Sequence, residues 1–92
     1  MNAEEYSEIF KAISHPLRLK IVCGLAHKDE CNVNTMKDRL GVSQSVVSQH
    51  LNILKSANII HGYRCGNKIC YRLENEFVKK LITDLNINLC GD

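Results

Sequence analysis

With 92 residues, a formal charge of +2 and 45% apolar residues, the chain has the size of one small domain and is too apolar for a disordered segment. No apolar run approaches the roughly 20 residues that cross a bilayer, and the opening MNAEEYSEIF is acidic and amphipathic, unlike a secretory leader. A cytoplasmic, reducing setting is therefore expected. There, five cysteines, an odd number, suit metal binding, redox chemistry or plain packing better than a disulfide framework.

In chain order, the spacing of Tyr6, Ile9, Phe10 and Ile13 predicts a first helix over 4–13, with acidic residues in its first turn. Ser14-His15-Pro16 ends it, and the proline suits the first turn of a second helix over 16–27. Leu17, Ile21 and Leu25 share one face of that helix and Leu19, Val22 and Ala26 another, so it reads as a central helix. Lys28-Asp29-Glu30 is a polar break. Val33, Met36 and Leu40 then predict a third helix over 33–40, closed by Gly41. Ser43 is a natural N-cap for a fourth helix over 44–56, which Asn58 can close in a left-handed conformation. Two helices joined by so short a glycine-containing turn carry the helix-turn-helix signature.

Two strand-like runs follow, with Gly66-Asn67 or Cys65-Gly66 between them, and predict a β-hairpin over about 59–73. A last helix over 74–88 aligns Phe77, Val78, Leu81, Ile82 and Leu85. The expected fold is mainly α with a β-hairpin wing, in the order α-α-α-α-β-β-α, as a single domain over 1–92 without linker or repeat.

The fourth helix bears the clearest functional signal. Val47, Leu51 and Leu54 must face the core, which turns Gln44, Ser45, Ser48, Gln49, Asn52 and Lys55 outward. That face carries no acid. Gln and Asn pair bidentately with adenine edges, and Ser reaches bases or phosphates, whereas a solvated helix face more often mixes Glu with Lys. His50 projects toward the core flank and reads as a packed or hydrogen-bonded histidine. Arg64, Asn67, Lys68 and Arg72 put positive charge at and near the hairpin tip, where a wing would meet phosphates or the minor groove.

The segments ISHPLRLKIVCGL, LGVSQSVVSQHLNILKSANII and GNKICYRL, taken in that order, resemble the ArsR/SmtB family of bacterial winged helix-turn-helix repressors. The resemblance covers nearly the whole chain. It implies a homodimer built by the first and last helices, bound to double-stranded operator DNA at an inverted repeat and released by an inducer. The apolar stripes of those two helices fit such a dimer, although each could equally seal its own monomer.

The inducer sites of the family differ in their ligands. The thiolate metal branch places Cys-Val-Cys at the start of the third helix, where this chain has Asn32-Val33-Asn34 with Cys31 one position early. The zinc and nickel branch needs histidines on the last helix, and residues 74–90 contain none. A third, persulfide- and oxidant-sensing branch pairs a cysteine of the second helix with one near the end of the last. Cys23 and Cys90 resemble that pair, which implies reversible linkage of their sulfurs. Cys23 projects between Lys20 and His27, where positive charge would favour the thiolate, and such a switch needs no cofactor. The bland alternative makes Cys23 a small buried hydrophobe and Cys90 a tail residue.

Cys65 and Cys70 flank the hairpin tip and could form a second redox pair, a soft-metal site with Cys31, or ordinary strand positions. The alternatives are thus a repressor sensing arsenite or another thiophilic metal through Cys31, Cys65 and Cys70, or a winged-helix protein-interaction module. Nothing in the sequence presents an enzymatic constellation.

Overall fold

The computed structural model describes residues 1–27 and 32–87. Five helices and one hairpin follow in the expected order: α1 Ala3–Ile13, α2 Pro16–His27, α3 Val33–Leu40, α4 Gln44–Ser56, β1 Ile60–Cys65, β2 Lys68–Leu73 and α5 Glu76–Asp84.

Side-chain caps set most of these boundaries. Asn2 and Glu5 form a reciprocal capping box on α1, and Asn32, Ser43 and Asn75 accept backbone N–H groups at the starts of α3, α4 and α5. His15 does the same for α2, its Nδ1 accepting the Leu17 N–H at 3.1 Å. Gly41 closes α3 at φ 67° and Asn58 follows α4 at φ 59°. At the latter end Asn58 N–H reaches Lys55 O at 3.0 Å and Ile59 N–H reaches Leu54 O at 3.0 Å, the paired bonds of a Schellman motif.

The last helix corrects the sequence-based expectation. It starts two residues later than 74 and ends at Asp84 instead of 88. Asn86 takes φ 54°, and Asn86 N–H and Ile87 N–H turn back to Thr83 O at 3.1 Å and Ile82 O at 2.9 Å. A second Schellman motif therefore turns the chain off the helix axis, and Ile87 packs against the core.

The core is one cluster to which every helix contributes. Ile9 and Ile13 of α1, the unbroken run Ile21–Leu25 of α2, Met36, Val47, Leu51, Leu54, Val78 and Ile82 are buried, and Ile59, Ile60 and Leu73 close the base of the hairpin. Each such large apolar side chain contributes on the order of 1.5–3 kcal/mol through removal from water. The predicted stripe of α1 divides in two. Ile9 and Ile13 enter the core, while Tyr6 and Phe10 remain 38% and 48% exposed. Both rings lie edge-on to Phe77 of α5, at centroid distances of 5.1 and 5.7 Å.

β1 and β2 are antiparallel, with Ile60 opposite Leu73, Tyr63 opposite Cys70 and Cys65 opposite Lys68. Gly66 and Asn67 make the two-residue turn. Gly66 has φ 69° at its first position, the place where a hairpin of the II′ kind needs glycine.

Candidate nucleic-acid interface

Burial of Val47, Leu51 and Leu54 fixes the rotation of α4. Gln44, Ser45, Gln49, Asn52 and Lys55 are consequently exposed, and Ser48 is half-buried. No acidic residue occurs in this helix, so the outward face is a continuous array of amides, hydroxyls and one cation. The α3–α4 turn is held from below, because Arg39 Nη2 donates to Lys20 O of α2 at 2.8 Å. A Cβ at Gly41 would meet no atom within 4 Å; the glycine is required there by its φ alone.

The hairpin carries the second basic element. Arg64, Asn67 and Lys68 are exposed at its tip. Arg72 lies further back, with its guanidinium carbon 5.8 Å from the Tyr63 ring centroid and Nη2 3.8 Å from Glu74 Oε1. His61 Nδ1 also lies 3.8 Å from Glu74 Oε2. Glu74 thus offsets charge at the base of the wing, while among the described residues Arg64 and Lys68 enter no ion pair.

Cys23 occupies the buried position that one of its two sequence readings gave it. It is fully buried, at 0% exposure within the core cluster. Its Sγ lies 3.9 Å from the carbonyl oxygen of Ile87, and His27 Nε2 lies 2.8 Å from the same oxygen. The segment after α5 is therefore fastened over Cys23 by a residue one helical turn further along α2. Cys90 and Cys31 lie outside the described residues.

Cys65 is exposed and Cys70 buried. The hairpin register sets them one diagonal step apart, a Cα separation of about 7–8 Å. That is longer than the roughly 4.4–6.8 Å usual for a disulfide. Cys70 instead pairs through its backbone with Asn32 on the outer edge of β2. Among the described residues no group of three or more His, Cys, Asp and Glu side chains is placed to hold a metal ion.

One cluster joins His50, read from the sequence as a packed or hydrogen-bonded flank residue, to partners that the sequence did not name. His50, on the core flank of α4, receives Arg18 Nη1 at 3.1 Å on its Nδ1, and its ring lies 4.5 Å from that of His15. Arg18 Nε also donates to Ala12 O at the end of α1. Position 50 lies 32 residues from Arg18, so only folding brings it to the 15/18 pair.

Comparison with known proteins agrees with this geometry. The model of the bacterial regulatory protein, arsR family, matches residues 15–61. The HTH-type transcriptional repressor SmtB of Mycobacterium tuberculosis is 38% identical over 77 residues, 84% of this chain and 56% of the relative. The chain thus spans little more than half the length of that repressor. Reduced HlyU from Vibrio cholerae superposes with a TM-score of 0.84 at 30% identity, over 92% of this chain and 88% of that one. A homodimeric winged helix-turn-helix DNA-binding domain from Mycobacterium bovis gives a TM-score of 0.81 at 26% identity, over 91% of this chain and 77% of that one. The chain belongs to the arsR family of bacterial regulatory proteins.

Proposed function

We propose that the chain is a cytoplasmic, DNA-binding transcriptional repressor that engages an inverted-repeat operator as a homodimer. The carrying observation is the acid-free exposed face of α4, flanked by Arg64 and Lys68 of the wing, which enter no ion pair among the described residues. Amides on a helix that fits the major groove read base edges, and cations at a hairpin tip meet phosphate. The names of the relatives, a repressor and a DNA-binding domain, support the same reading. Duplexes selected from a random pool should be bound with a negative salt slope, measured by fluorescence anisotropy. Absence of salt-dependent duplex binding would return the chain to the class of protein-interaction modules.

The uncovered aromatic face of α1 and α5 supports dimerisation through these helices. Tyr6, Phe10 and Phe77 form one edge-packed group, and Leu85 is 64% exposed. The M. bovis neighbour is named as homodimeric.

Operator release is driven, in this reading, by linkage of Cys23 to Cys90. Its support is that Ile87, which rests on Cys23, precedes Cys90 by three positions, a chain length of at most about 11 Å. The chemistry balances without a cofactor. The Cys23 thiolate attacks a peroxide oxygen, the O–O bond breaks and one water leaves, giving a sulfenic acid. The Cys90 thiolate then displaces the second water as the S–S bond forms. With hydrogen disulfide as oxidant, two thiols give one protein disulfide and two molecules of hydrogen sulfide. Oxidation should lower operator affinity and reductant restore it, and a C23S variant should keep its affinity under oxidant. A C23S protein as responsive as the wild type sinks the assignment.

A further inference from the structure

Arg18 spans three helices. From α2 its Nε donates to Ala12 O at the C-terminal end of α1, and its Nη1 lies 3.1 Å from His50 Nδ1 on α4. A guanidinium has only donors, so Nδ1 of His50 must present its lone pair. His15 is constrained likewise, because its Nδ1 accepts the Leu17 N–H at 3.1 Å. The two rings are 4.5 Å apart and tilted by 41°. A proton on Nδ1 of His50 would set one N–H against another and add a cation beside Arg18.

We propose that Arg18 and His50 are positioning residues for the DNA-reading helix: the neutral His50 ring ties α4 to α1 and α2 through Arg18, and its protonation loosens α4 and weakens operator binding. The role rests on the assignment of α4 as the reading helix. Burial, then His15, then Arg18 hold His50 below the ordinary histidine value, so the ring stays neutral near neutral pH. His15, in the turn before α2, and Arg18 of α2 are the charged or titratable groups that act on it. Glu8 and Lys11 of α1 line the cleft beside Arg18, and no group of α3 or β1 adds to the shift among the described residues.

The sign of the pH dependence separates this role from simple charge. Added positive charge near a duplex tightens binding as pH falls; loss of the Arg18–His50 tie weakens it. Anisotropy with the selected duplex, from about pH 8 to about pH 5.5 at constant ionic strength, should show wild-type affinity falling by about ten-fold, the scale of one hydrogen bond to a charged group. H50Q, whose amide oxygen accepts from Arg18 and does not titrate, should match the wild type at the upper pH and lose the fall. Affinity that holds or tightens in the wild type on acidification overturns the proposal, as does an H50Q protein that falls equally.

Nitrogen NMR of the wild-type His50 ring supplies a readout that needs no variant. An unprotonated Nδ1 at about pH 8, titrating with the loss of binding, is the expected result. A protonated Nδ1 at that pH overturns the network. Failure of the wild type to bind any duplex at the upper pH would sink the DNA-reading assignment itself, and the ring tautomer would still judge the tie.

Discussion

The outer face of α4 and the surroundings of Cys23 both occupy a few turns of helix, but they are specified over very different distances. On α4 three apolar residues and a serine cap, all within twelve positions, decide which side chains face outward. At Cys23 the decisive neighbour is the Ile87 carbonyl, 64 positions away. Helical periodicity and capping act over about four residues, so the first face follows from local rules. The second exists only once α5 has turned at Asn86 and returned its chain to α2. The outward face of a helix can be recognised from one segment; what covers a buried sulfur is decided in the assembled core.

Four changes test that contrast, beginning with the largest effect. L54A removes a fully buried side chain from the inner face of α4 and should destabilise the fold by about 2–5 kcal/mol in chemical denaturation. Q49A, on the outer face of the same helix, should leave the denaturation midpoint nearly unchanged and cost about 1–3 kcal/mol of sequence-specific affinity. If the two substitutions affected stability alike, the division of α4 into a core face and a reading face would be wrong.

H27A tests the other region. Loss of the 2.8 Å contact with Ile87 should speed amide exchange at residues 85–87 and alkylation of Cys23 by about five-fold, the worth of one net hydrogen bond. Exchange in α3 and α4 should be unaffected. Unchanged exchange at 85–87 would mean that His27 does not fasten the segment. K68A, the smallest perturbation, should reduce the salt slope of duplex binding by about one and weaken all sequences nearly equally. A sequence-selective loss would place Lys68 on base edges and not on phosphate.

Folding stability should carry its own pH signature from His50. Its native value lies below that of the unfolded chain, so the unfolded state binds more protons as pH falls through the histidine range. Stability is full above that range and declines on acidification. Denaturation midpoints of wild type and H50Q should therefore diverge below about pH 6.5. Parallel curves would mean that the Arg18–His50 tie does not form in solution.

Much of the architecture was legible in the chain because its signals are local. Ser43, Gly41 and Asn58 mark helix ends through side-chain capping or tolerance of positive φ. Gly66-Asn67 marks the hairpin turn. The acid-free outer side of α4 followed from the placement of Val47, Leu51 and Leu54 alone, and His50 was correctly read as a flank residue.

Tertiary structure decided the rest. The stripe on α5 continues through Leu85 without a break, yet the helix stops at Asp84, because packing of Ile87 on the core accompanies the left-handed turn at Asn86. The stripe on α1 gives no hint that Ile9 and Ile13 enter the core while Tyr6 and Phe10 meet Phe77 at the surface. Nor does local spacing foretell that Cys23 is buried beneath Ile87 or that His15 lies beside His50. Periodicity orders side chains around a single helix axis. Which arc of that helix is covered, and by what, depends on segments whose separation in sequence carries no pattern.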